Sequence, residues 1–93
     1  MSDPVPLVVA RTDGVVWRVV GADLVVYETA SSLFVQLNRT GRLLWEALVD
    51  GPCTVASLTE RLAAHFGVEP ERAGADVDRF LDELRSAGLL SGA

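Results

Sequence analysis

VVWRVVGADLVVYETASSLFVQLNRTG, residues 15–41, decides the fold. Three runs rich in β-branched and aromatic residues follow one another there: Val15–Val20, Leu24–Thr29 and Ser32–Leu37. Such residues favour strands. The spacer Gly21-Ala22-Asp23 implies a hairpin, and Ala30-Ser31 brings the third run back at once. No helix intervenes to make any pair parallel, so the stretch predicts a three-stranded antiparallel meander. Asn38 then ends the third strand. Its short polar side chain can accept from the free N–H groups of a helix that starts behind it.

Downstream the apolar period changes from two to about 3.6. A first helix runs from Asn38 to about Val49, with Leu44, Trp45, Ala47 and Leu48 inward and Arg42, Glu46 and Asp50 on the wet side. Asp50-Gly51-Pro52 ends it. Thr54 is a suitable N-cap for a second helix whose apolar stripe is Val55, Leu58, Leu62 and Phe66, closed by Gly67. Pro70 opens a third helix, with Ala73, Val77, Phe80, Leu81 and Leu84 inward and Gly88 as its C-cap. The order predicts an α+β, winged helix-turn-helix-like fold: a three-stranded antiparallel sheet followed by a three-helix bundle. Residues 14–93 form the one domain, and residues 1–13, with two prolines and a short apolar stretch Leu7–Ala10, read as a loosely attached N-terminal lead-in.

Ninety-three residues with 49% hydrophobic and 23% charged side chains suit a single folded core. No apolar run reaches the ~18 residues of a membrane span, and the N-terminus has neither the basic start nor the cleavage site of a signal peptide. The single cysteine, Cys53, agrees with a reducing compartment, so the expected location is cytoplasmic. Arginine supplies all eight cations against 13 carboxylates, for a formal net charge of −5. That balance argues against polyanionic partners and favours a neutral or basic peptide.

Catalytic constellations do not assemble. The lone His65 falls in the last turn of the second helix, where it suits the carbonyl end, and it has no evident co-ligands. Cys53 lacks a second cysteine or nearby histidine. Asp76, Asp78, Asp82 and Glu83 are interleaved with Arg72 and Arg79 at i, i+4 spacing, the pattern of a solvated helix. The glycines form neither a dinucleotide fingerprint nor a phosphate loop. The expectation is a protein that is not an enzyme, with no metal and no cofactor.

Recognition remains. In Ser32–Leu37, alternation sends Leu33, Val35 and Leu37 to the core face and Ser32, Phe34 and Gln36 to the other. This strand carries no charge or proline, the usual guards of an exposed edge, which suggests a site for an added strand. The alternative is that Leu7–Ala10, or a second copy of the chain, covers that edge.

Several pieces in this order resemble the PqqD-like family, the peptide-recognition modules of ribosomal peptide natural-product pathways. They are the hairpin VVWRVVGADLVVYET, the strand and helix start LFVQLNRTG with Leu37-Asn38, Thr40-Gly41 and Trp45, the helix TVASLTERLAAHFGV, and DVDRFLDELRSAGLL with its Ala87-Gly88-Leu89-Leu90 ending. The resemblance implies that a precursor's leader peptide adds as a fourth strand beside the third and lies against the third helix. Carried over, the backbone of Leu33, Phe34, Val35 and Gln36 would pair with the leader, and Phe34 would contribute to the groove. From the last helix Leu81 would receive an apolar leader residue, Asp78 and Asp82 a basic one, and Arg85 a carboxylate. A discrete module of this length looks most like the stand-alone leader-binding protein of lasso peptide assembly, a monomer or weak dimer that presents the leader to a separate leader peptidase. The alternative within the family is delivery of a precursor to a radical SAM enzyme, as in pyrroloquinoline quinone biosynthesis. A winged-helix DNA-binding regulator is disfavoured, because Glu71–Arg85 holds five acids against three arginines and phosphates would repel it. A third class is a structural subunit whose strand edge closes by self-association.

Overall fold

Strand β2 (Val15–Val20) turns through Gly21-Ala22 into β3 (Asp23–Glu28), and β3 returns as β4 (Leu33–Leu37), giving an antiparallel sheet of order β2-β3-β4. These are features of a computed structural model that describes residues 7–91. Gly21 takes a φ of +64°, a left-handed conformation that glycine enters without a Cβ penalty, and the tight turn pins Val20 opposite Asp23. Register then follows along the sheet, with Val26 opposite both Trp17 and Val35. Leu24, Val26 and Leu37 enter the core, as alternation predicts. Leu33, expected on that face too, stands at the strand's outer start and stays exposed. On the opposite face Val16, Tyr27 and Phe34 align in one exposed row across the three strands.

At Asn38 the chain turns into α1 (Arg39–Asp50). The Asn38 Oδ1 accepts from the Gly41 N–H at 3.0 Å and from the Thr40 hydroxyl at 2.7 Å. Gly41 matters for a different reason: a Cβ there would stand 3.1 Å from the Leu37 Cβ, a tight contact that glycine avoids where the helix starts beside the strand it has just left. Helix α2 (Val55–Phe66) is capped by Thr54, whose hydroxyl accepts from the Ser57 N–H at 3.0 Å, and ends at Gly67 in the left-handed region. Of its expected stripe, Leu58 and Leu62 are buried, Phe66 is half-buried and Val55 is exposed at the first turn. Helix α3 (Pro70–Ser86) begins on Pro70 and packs along α2. After its cap at Ala87, Gly88 takes a φ of +73° and the Leu89 N–H returns to the Leu84 carbonyl at 2.9 Å, which folds Leu89 into the core. Trp45, fully buried, sits edge-on to Trp17 of β2 with ring centroids 5.6 Å apart, joining helix to sheet.

The lead-in is attached more firmly than its sequence suggests. Strand β1 (Val9–Ala10) pairs antiparallel with β5 (Leu90–Ser91), with Ala10 opposite Leu90 and buried. Val8 exchanges backbone hydrogen bonds with Cys53, and the Arg11 side chain reaches both Glu28 and the Gly88 carbonyl. Residues 1–6 of the expected lead-in lie outside the described residues, as do residues 92–93.

Candidate functional site

In an antiparallel pair hydrogen bonds are exchanged at every second residue, so each backbone faces one neighbouring strand or the other. The two-residue turn makes Val20 and Asp23 a bonded pair, and the Thr29 N–H donating to the Gly14 carbonyl at 3.0 Å continues the same parity. The backbones of Asp23, Val25 and Tyr27 therefore face β2, while those of Leu24, Val26 and Glu28 face β4 and meet Leu37, Val35 and Leu33. What is left over is the edge. The N–H and C=O groups of Phe34 and Gln36 point away from the sheet, and among the described residues no strand pairs with them. Leu7–Ala10, which the sequence left as a possible cover, is instead occupied with β5 and Cys53.

Beside this edge runs a groove of about 620 Å³ between the end of β4 and α3. Gln36 and Leu37 form one wall, Asn38, Thr40, Gly41 and Leu44 the floor at the start of α1, and Arg72, Asp76, Arg79, Phe80 and Glu83 the α3 wall. The α3 wall alternates in charge, with the Arg79 guanidinium 3.6 Å from the Asp76 carboxylate, and on the sheet side the Gln36 amide donates to Asp23 at 3.2 Å. A mixed, open surface of this kind suits an extended chain with polar and charged side chains.

The site residues expected from the sequence divide by element. Gln36 lines the groove, Phe34 is 67% exposed on the outer face of the sheet, Val35 is half-buried with its backbone in the β3 ladder, and Leu33 stands at the strand's start. On α3, by contrast, none of the four expected side chains lines the groove. Leu81 is 4% exposed and belongs to the core, so it offers a ligand no surface. Asp78, Asp82 and Arg85 are exposed on the far flank of the core stripe, with Arg85 held 3.0 Å from Asp82. At about 100° per residue, Arg72, Asp76, Arg79 and Glu83 form the other flank, and this is the one turned toward β4. Their spacing was as legible as that of the expected set. What periodicity did not carry is which flank faces the strand.

The remaining chemistry-bearing groups are engaged in structure. Cys53, half-buried, lies with its thiol 3.4 Å from the Gly51 carbonyl, and His65 stands edge-on to Phe66 with centroids 4.7 Å apart. No cluster of three metal-ligating side chains occurs among the described residues, and no helix there is long and apolar enough to cross a membrane.

Comparison with known proteins places this geometry in context. The family model described as coenzyme PQQ synthesis protein D matches residues 23–90, a span that holds the whole meander beyond β2, the groove and all three helices. A solved structure of TbiB1 in complex with the TbiA(beta) leader peptide shares the fold with a TM-score of 0.79, at 21% identity over 90% of this chain and 96% of that one. No curated protein matches the chain.

Proposed function

The chain belongs to the coenzyme PQQ synthesis protein D family, and from that premise we propose that it binds the leader peptide of a ribosomally synthesised precursor by strand addition and presents it to a processing enzyme. The observation that carries this reading is the free edge of β4, where the backbones of Phe34 and Gln36 face outward beside the groove. The leader would pair with those two residues, and main-chain bonds would supply affinity while side-chain pockets supply selection. Leu33 and Val35 hold the edge in place through the β3 ladder. On the helix, Arg72, Asp76, Arg79 and Glu83 take the selecting role that the sequence suggested for Asp78, Leu81, Asp82 and Arg85. All of these residues fall within 14–93, which we take as the recognition unit.

The processing enzyme is, in this proposal, the leader peptidase of a lasso peptide pathway. Support comes from the likeness to TbiB1, a protein solved with a leader peptide bound. The family's description favours a second reading, delivery of a precursor to a radical SAM enzyme of coenzyme synthesis. In either case the chain itself is a cytoplasmic, non-catalytic partner.

Fluorescence anisotropy of a labelled leader, taken from the precursor encoded beside this protein, tests the central claim with unlabelled duplex DNA as competitor. Saturable binding that DNA does not displace, with amide exchange slowed at Phe34 and Gln36, is the expected result. Absence of binding at high micromolar protein would overturn it. Co-elution with a cysteine leader peptidase or with a radical SAM enzyme then separates the two pathways.

A further inference from the structure

The groove does not end where β4 ends. Past Leu37 it opens into a recess of about 420 Å³ under Arg39, Phe66 and Val68, which shares Asp23, Asn38, Thr40, Arg72 and Asp76 with the groove wall and floor. That recess in turn shares Arg39 and Phe66 with a further one of about 380 Å³, where Arg42, Leu43, Glu46 and His65 also contribute. Three adjoining hollows thus follow one another from the strand edge over the start of α1 to the end of α2.

The far end has an unusual charge. The first turn of α1 carries Arg39 and Arg42 and no acid, although a helix start favours negative groups and disfavours cations. Arg42 is compensated by Glu46 at 3.2 Å. Arg39 has no carboxylate partner among the described residues; its guanidinium lies over the Phe66 ring, 5.7 Å from the centroid, which limits its motion and leaves its donors free. Arg39 therefore stands at a helix start, a position that disfavours cations, without an anion beside it among the described residues.

We propose that this recess is a second recognition subsite, which takes a carboxylate-bearing residue of the same peptide after it leaves the β4 edge past Leu37. The proposal rests on the strand-addition reading and deepens it. Arg39 supplies a planar fork suited to a carboxylate, Phe66 with Leu43 lines the recess with apolar surface for the stem of the Asp or Glu, and the Glu46 carboxylate on its rim is neutralised by Arg42. Recognition then has two parts. Backbone pairing at Phe34 and Gln36 is tolerant of sequence, and the carboxylate fixes which stretch of the leader sits in register.

The test replaces, one at a time, each Asp and Glu of the labelled leader by its amide, and reads anisotropy against the wild-type protein and Arg39→Gln. The peptide variants leave the folding of the protein untouched, and Arg39 is exposed, so its variant is checked by thermal melting alone. One amide replacement should weaken binding about five- to tenfold, a loss that Arg39→Gln reproduces, that does not add to it, and that shrinks at high salt. Tight binding that none of these changes alters would overturn the subsite and leave strand addition standing. Failure of the unmodified leader to bind wild-type protein would instead remove strand addition, and this inference with it.

Discussion

Glu28 is buried to 7% exposure at the corner where sheet, lead-in and C-terminal turn meet. Its carboxylate accepts from the Ser31 hydroxyl and from the Ser31 N–H at 3.1 Å, and pairs with Arg11. The Ser31 hydroxyl holds its pKa below the usual carboxylate range, the Arg11 charge adds to this, and loss of solvent opposes it. A depressed folded-state pKa gives stability that is present above the unfolded-state value and is lost as pH falls through the folded one. Glu28→Gln should therefore lower Tm at neutral pH and flatten its fall on acidification, as thermal melts from pH 7 to pH 3 would register. Trp45 makes a separate case. Its indole N–H is buried without a hydrogen-bond partner, so Trp45→Phe gives up volume but no bond and should cost less than about 2 kcal/mol, against roughly 3–5 kcal/mol for Trp45→Ala in urea unfolding. At this scale sequence was a good guide wherever partners are near in the chain: Asn38, Thr54 and Gly67 cap the helices they were expected to cap. The Arg11–Glu28 pair is 17 residues apart and left no local pattern to read.

Strand β4 has two kinds of backbone, and proline substitution separates them. At Val35 it removes a donor of the ladder to Val26, so Val35→Pro should destabilise the fold itself by roughly 1–3 kcal/mol. At Gln36 the lost donor faces outward; Gln36→Pro should keep most of the stability and weaken leader binding about three- to tenfold, measured by melting and anisotropy on the same samples. Gly41→Ala tests the junction that brings helix to strand. Its new Cβ would stand 3.1 Å from the Leu37 Cβ, and that crowding should cancel most of the roughly 1 kcal/mol that alanine gains over glycine in a helix, so chemical unfolding should show little or no stabilisation. Charge on α3 should matter by flank: Asp78→Lys with Asp82→Lys should leave affinity within about twofold, because those side chains stand away from the groove. Which strand backbones face outward hung on the length of one turn: the sequence reads Gly21-Ala22-Asp23 as the spacer, whereas Asp23 already pairs with Val20, and the two-residue turn Gly21-Ala22 fixes the parity of every pair in the meander. The flank of α3 could not be read in advance, because the inward residues of a helix define its core stripe and leave open the side on which the next element lies.

For the molecule as a whole, the decisive closure joins the first described strand to the last. Strands β1 and β5 are two residues each, too short to show any period, and their partners stand some eighty positions apart, so the meander and helices were legible while this clasp was not. Removing residues 1–11 takes away the β1–β5 bonds, the Val8–Cys53 bridge, the Arg11 side-chain contacts and the Arg11 N–H bond to the Leu89 carbonyl. A loss of about 2 kcal/mol, or a Tm roughly 8–16 °C lower by calorimetry, is expected, with the β4 edge still competent at low temperature. The groove itself draws on residues 23–83 only and so sits apart from the clasp. Val9 and Ser91 lie directly across from each other, which means that the path of the chain is already almost a ring. A short glycine linker from Ser91 back to Val9 would close that ring, and new ends opened beside the exposed Pro52 would give a circular permutant of residues 9–91 that keeps the groove.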